Sequence, residues 1–259
     1  MAGSVLTSTA PTTAHRSHPM VASVRRILQQ LRHDHRTIGM IIGVPIMLIA
    51  LLYFMFSEEP GRFNAVALTM LAVFPFTIMF LITSIAMLRE RTSGTLERLM
   101  TTPTRGVDLL FGYGIAFGIA AAVQAGVAAA CAYWIFGLRS SGGAGYVVLV
   151  AILTALLGVG LGLLCSAFAR TEFQAVQLLP VVVIPQILLC GLFVARNTMA
   201  GWLEVVSNVM PLSYAVEATG EVGRHAEATG LLWRDLVIMV GCVLLALALA
   251  SATLGRRTD

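Results

Sequence analysis

The sequence predicts an all-α membrane protein with six transmembrane helices, and three observations lead there. Of its 259 residues 58% are hydrophobic and 12% charged, with mean hydropathy +0.86; an ordinary soluble domain carries about twice that charged share. Six segments stay apolar for roughly 20 residues, the length a helix needs to cross a bilayer. The arginines are shared unevenly between the polar segments joining these runs, which sets an orientation.

Residues 1–18 are rich in Ser, Thr and Ala, lack the apolar stretch of a signal peptide, and read as a disordered cytoplasmic tail. Residues 19–36 change character. Met20, Val21, Val24, Ile27, Leu28 and Leu31 fall within about 120° of one helical face. Arg25, Arg26, Arg32 and Arg36 occupy the opposite arc. An amphipathic helix in this position lies on the inner leaflet, with its arginines near anionic headgroups and membrane lipid as its partner.

The expected spans are residues 37–56, 64–88, 109–136, 145–169, 173–194 and 236–255. Pro45, Pro75, Pro180 and Pro185 fall inside them, where neighbouring helices can satisfy the freed backbone groups. The third span carries Gly114, Gly118, Ala122, Gly126 and Ala130, a small residue at every fourth position, and the fourth adds Gly158, Gly160 and Gly162. Such positions let helix backbones approach closely in lipid, within one subunit or between two. Residues 195–235 are too polar to span. Trp202, Val205 and Val209 alternate there with Glu204 and Asn208, and Pro211 interrupts the pattern. A short re-entrant or interfacial helical pair fits, with Trp202 and Tyr214 near the headgroups.

With both termini cytoplasmic, the inner segments hold twelve arginines and the outer ones five: Arg62, Arg139, Arg196, Arg224 and Arg234. Counting acids, the inside nets +6 and the outside −2. Arginine bias toward the cytoplasm selects this orientation.

Several chemistries are excluded. All 17 basic residues are arginine, as a GC-rich genome would favour. Without lysine the chain has neither the P-loop amine that reaches nucleotide phosphates nor a Schiff-base nucleophile. Cys131, Cys165, Cys190 and Cys242 lie far apart in apolar runs, and four of five histidines precede the first span, so no metal-ligand spacing arises. No paired catalytic carboxylates or nucleophile–base arrangement marks the spans as an enzyme. No resident cofactor, metal or nucleic-acid partner is expected. Polar groups inside a membrane mark either interhelical hydrogen bonds or a substrate path. Gln124, Gln177 and Gln186 are such groups, and Phe74 and Phe76 would give a path an apolar, amphiphile-accepting lining. Arg234 and Asp235 are expected at the outer start of the last span, leaving no charge in a span core. This speaks against ion-coupled pumping.

Between the second and third spans the chain reads LRERTSGTLERLMTTPTRG, residues 88–106. Residues 92–104 have helix-forming character with Pro103 as a stop, in a cytoplasmic loop starting at Arg89. On a helix, Glu90, Gly94 and Glu97 share one side, Arg91 and Arg98 the next, and Leu96 and Leu99 contribute to an apolar face. The residues alone allow either a partner-docking element or a solvated loop whose charges enforce topology.

Residues 90–103, ERTSGTLERLMTTP, resemble the E-R-x-x-G-T-L-E-x-L-x-x-T-P signature of ABC-2 type transporter permeases, nearest to the daunorubicin-resistance-like exporters. QLRHDHRT (residues 30–37) is similar to the R-x-D-x-R segment before the first span of that branch. MPLSYAVEA (residues 210–218) is similar to its N-P-L-T-Y-x-V-x-A, with Met210 where Asn is usual. The resemblance covers the chain after residue 20. It implies a six-helix permease with an N-terminal elbow helix and a cytoplasmic coupling helix at about 89–105. That helix would dock on a separate ATPase through Glu90, Arg91, Gly94, Thr95, Leu96, Glu97 and Leu99. ATP and Mg would then belong to the partner, with two ATPase and two permease subunits, the latter a homodimer or a pair of paralogues. The implied function is export of a hydrophobic drug- or lipid-like substrate across a bacterial cytoplasmic membrane. A polysaccharide- or glycolipid-exporting permease and a non-transporting membrane scaffold are the alternative readings.

Overall fold

Apolar runs become long helices because a backbone in lipid must satisfy its own N–H and C=O groups. The structure, a computed structural model, describes residues 19–92 and 106–255. In chain order these form α1 (Pro19–His33), α2 (His35–Met55), α3 (Pro60–Thr92), α4 (Gly106–Trp134), α5 (Ala144–Ser166) and α6 (Glu172–Leu189). A 3₁₀ turn (Arg196–Thr198), α7 (Gly201–Val209), α8 (Pro211–Arg224) and α9 (Gly230–Gly255) follow. Helices α2 to α6 and α9 are long and apolar enough to cross a membrane. The described residues contain no strand.

Helix α5 is the centre of the bundle, packed against α3 most closely and flanked by α4, α9 and α8. Its glycines set these distances. A Cβ on Gly158 would stand 2.3 Å from the Phe76 carbonyl oxygen, and one on Gly162 would stand 2.6 Å from that of Phe80. The two backbones therefore touch over a full turn, and Phe76 and Phe80 are wholly enclosed beside them. Gly160 points to another neighbour, where its Cβ would lie 3.1 Å from the Ala246 Cβ of α9. By contrast α2 and α6 keep most of their apolar surface outward. Lipid accommodates such a surface without penalty, so these two helices need little covering by protein.

Several boundaries differ from the sequence expectation, each for a local reason. The amphipathic helix ends at His33 instead of Arg36, because Asp34 caps a new helix. Its Oδ1 accepts the Thr37 N–H at 3.1 Å and its Oδ2 the Thr37 hydroxyl at 2.6 Å. These Thr37 bonds hold the Asp34 carboxyl below its usual range. The apolar face of α1 is also covered by protein: Ile27 is buried with Met87, Tyr113 and Phe117, and Val24, Leu28 and Leu31 pack beside it. Helix α3 continues through Thr92, so Arg89, Glu90 and Arg91 belong to its last turn and not to a loop. Nothing before Gly94 breaks a helix there, and arginines suit a helix C-terminus.

Helix α6 stops at Leu189. Gly191, at φ 94°, takes the left-handed conformation that ends a helix. Helix α9 begins at Gly230, not Leu236, because the Thr229 hydroxyl accepts the Leu232 N–H at 3.1 Å. Asp235 consequently lies inside the helix, near the start of the span, with its side chain fully buried and paired with Arg234. The outer polar segment folds as α7 and α8, with Pro211 at the start of α8, where a missing N–H costs nothing. Trp202 is exposed, whereas Tyr214 turns inward: its hydroxyl donates to the Asn208 carbonyl at 2.6 Å beneath the Arg196 guanidinium.

The glycine contacts give a stability prediction. Gly158→Ala forces α3 and α5 apart and is expected to cost about 1–3 kcal/mol. Gly126→Ala, whose Cβ would meet nothing within 4 Å, should leave stability unchanged or raise it by up to about 1 kcal/mol, since alanine suits a helix better than glycine. Thermal unfolding of the two variants in detergent distinguishes them; equal melting temperatures would refute the close-approach account.

Candidate functional site

The last turn of α3 carries three charged residues in succession, Arg89, Glu90 and Arg91. Consecutive helical side chains point about 100° apart, so each reaches a different neighbour. The Arg89 Nε and Nη2 donate to the two carboxylate oxygens of Glu172 at 2.8 and 2.9 Å, a two-pronged pair with the start of α6. Glu90 accepts from the Arg26 Nη2 of α1 at 2.6 Å, and the same nitrogen reaches the buried Tyr113 hydroxyl of α4 at 3.2 Å. The Arg91 Nη1 donates to the Ser166 carbonyl at the end of α5 at 3.3 Å. One helical turn is thereby bonded to α1, α5 and α6, and through Arg26 to α4.

These ties differ in strength. Arg89 and Glu172 expose 61% and 53% of their side chains, so water weakens their attraction and the pair orients more than it stabilises. Arg26 and Glu90 expose 30% and 12%, and their contact is better shielded. Thr171 fixes the start of α6 by accepting the Gln174 N–H at 3.2 Å, which places Glu172 within reach of Arg89. Chemically the cluster has no nucleophile or base aimed at a cavity.

The residues singled out in the sequence fall in several places. Glu90 and Arg91 lie in this cluster, while Gly94, Thr95, Leu96, Glu97 and Leu99 lie outside the described residues. Arg25, Arg32 and Arg36 are exposed, but Arg26 turns inward onto Glu90. Phe76 is enclosed between α3 and α5, and Phe74 is half-buried. Gln124 is buried with neither amide atom partnered, and the buried Gln186 donates to the Val182 carbonyl at 3.1 Å. Gln177 is exposed and lines a shallow groove with Phe168 and Arg170 that includes none of the other four. On α4, Gly114 faces Leu247 of α9 and Gly118 faces Leu156 of α5; Ala122 is half-buried and Gly126 faces open space. The deepest contacts belong to Gly158 and Gly162.

Tyr113, Glu172 and the inward role of Arg26 were not apparent in the sequence. A lone acid beside a span end and a tyrosine in a span start are ordinary residues until the fold brings them together.

The protein-family model described as "ABC-2 type transporter" matches residues 20–221. Among curated proteins the chain is similar to "Probable multidrug ABC transporter permease YbhR" of Escherichia coli (strain K12), 26% identical over 158 residues. That match covers 61% of this chain and 43% of the relative. It is also similar to "Linearmycin resistance permease protein LnrN" of Bacillus subtilis (strain 168), 24% identical over 152 residues, 57% of this chain and 39% of the relative. "ABC transporter G family member 20" of Dictyostelium discoideum is 27% identical over 153 residues, 59% of this chain and 21% of the relative. The matched region is less than half the length of each of these relatives.

A double-mutant cycle tests the cluster. Arg26→Ala, Glu90→Ala and the double variant should give a coupling of about 1 kcal/mol. The same cycle on Arg89 and Glu172 should give a coupling near zero. Chemical unfolding at low salt measures both, and equal couplings would contradict the difference in shielding.

Proposed function

Because the chain belongs to the ABC-2 type transporter family, we propose that it is the membrane permease subunit of an ABC exporter, moving a hydrophobic drug- or lipid-like substrate outward. One observation carries the reading. The turn that leads into residues 93–105 is bonded to α1, α5 and α6, and through Arg26 to α4, so a push on that segment would move the bundle. The segment holds the GTLE core of the coupling motif, Gly94 to Glu97. A separate ATPase, holding ATP and Mg, docks there, and closure of the ATPase pair supplies the push. Two permeases and two ATPases complete the transporter.

In this reading residues 93–105 and both chain ends face the cytoplasm of a bacterium, as the arginine bias asks. Helix α1 is the elbow: its exposed Arg25 and Arg32 meet headgroups, while Arg26 joins it to the coupling turn. The two bacterial relatives, named for multidrug transport and linearmycin resistance, favour a hydrophobic cargo.

The decisive experiment replaces Glu97→Arg together with Gly94→Trp. The folded permease is expected to lose both the co-purified ATPase and ATP-driven transport in vesicles. Unchanged pull-down and transport would sink the docking assignment; ATPase binding without any transport by the unaltered chain would favour a scaffold. Single cysteines at Arg98 and Arg139 should label from the inside and the outside respectively, and the reverse pattern would overturn the orientation.

A further inference from the structure

At the end of the bundle away from the Arg89–Arg91 turn lies a cavity of about 1070 Å³, walled by α3, the loop after α4, the segment after α6, α7, α8 and the start of α9. Four guanidiniums line it, Arg139, Arg196, Arg224 and Arg234, against two carboxylates, Glu204 and Glu217. Further acids stand behind the wall and aim the arginines. Glu221 accepts from the Arg224 Nη2 at 2.9 Å, and the enclosed Asp235 accepts from the Arg234 Nε and Nη2 at 2.9 and 2.7 Å. Burial works against the Glu221 charge, but hydrogen bonds from Arg224 and Thr229 outweigh it and keep the carboxyl below its usual range. Glu217 joins the Arg196 Nη1 at 2.7 Å to the Arg234 Nη2 at 3.1 Å.

These contacts occupy one edge of the Arg224 and Arg234 guanidiniums, whereas Arg196 is held by both terminal nitrogens, Nη1 on Glu217 and Nη2 on the Asn208 Oδ1. The side chains of Arg224 and Arg234 stay 68% and 50% exposed. Arg139 is held by its backbone, whose N–H donates to the Asn64 Oδ1 at 3.0 Å, while its guanidinium makes no bond to a described group. The wall helix α7 is two-sided: Glu204 and Asn208 face the cavity, and Trp202, Val205 and Val209 are exposed apolar residues on its outer side.

We propose that this cavity binds the phosphate group of an anionic amphiphile, with the arginine donors on the phosphate and the apolar side of α7 beside the chains. Convergent, pre-aimed guanidiniums match phosphate oxygens, and planar Arg groups grip them in pairs. Acids already pair with Arg196, Arg224 and Arg234, so the uncommitted donors are the Arg139 guanidinium and the open edges of Arg224 and Arg234, which favour an anion over a cation. The volume exceeds what a headgroup alone needs. Binding stands on the cavity by itself; only its meaning as a cargo site rests on the exporter reading.

The test uses the full-length permease in a neutral maltoside detergent, titrated calorimetrically with dihexanoyl phosphatidic acid, inorganic phosphate and dihexanoylglycerol. Saturable binding of phosphatidic acid is expected, weakened about tenfold in Arg139→Gln, the effect of one charge-assisted hydrogen bond. Arg139→Gln removes no side-chain contact and should melt like the unaltered protein. Arg139→Gln with Arg224→Gln should weaken binding further. Inorganic phosphate binding as tightly as phosphatidic acid identifies a free phosphate ligand; much weaker binding identifies the amphiphile. Binding unchanged in Arg139→Gln, no saturable binding of either phosphate compound, or equal binding of dihexanoylglycerol overturns the proposal. Loss of ATP-driven transport with this binding intact would count against the exporter reading alone.

Discussion

The contact between α5 and α3 is the constraint on which the rest of the bundle depends. Gly158 and Gly162 bring one backbone onto the Phe76 and Phe80 carbonyls of the other. In lipid no hydrophobic force pulls helices together, so attraction must come from close packing of atoms over a long seam. Glycine makes the seam possible by removing the atom that would hold the helices apart. With α3 and α5 locked, Gly160 sets the distance to α9 and Leu156 meets Gly118 of α4. Helices α2 and α6, which touch little of this core, keep an apolar outer surface.

Among the described residues the ion pairs gather at the two ends of this seam. At one end Arg26, Arg89, Glu90, Arg91 and Glu172 join α1, α3, α5 and α6 just before residues 93–105. At the other, Arg196, Glu217, Arg234 and Asp235 join the segment after α6 to α8 and α9. Ion pairs of this kind stabilise little where water reaches them, but they fix which helix follows which. A rigid apolar middle with bonded ends is suited to passing a displacement from one face of a membrane to the other.

Much of the fold is legible in the residues. The six spans follow from runs of apolar residues, the start of α8 from Pro211, and the amphipathic character of α1 from the spacing of Val24, Ile27, Leu28 and Leu31. The boundaries less so, since polarity was read as the edge of a helix. Arg89–Thr92 and Arg234–Asp235 are polar yet helical, because capping at Thr229 and the lack of a breaker before Gly94 decide where a helix stops. The small-residue ridge of α4 was as regular in sequence as the α5 glycines, but Gly126 meets nothing and Gly158 meets backbone.

The sequence by itself determined the solvent, the number of spans and the absence of a P-loop lysine, because composition and local period record these directly. Only the tertiary structure decided which charges meet. Arg26 and Glu90 are 64 positions apart, and Arg89 and Glu172 are 83 apart. Such distances carry no local period, so their pairing depends on how α3, α4 and α5 stack. The same holds for the arginine cavity, whose walls come from six separate stretches of chain.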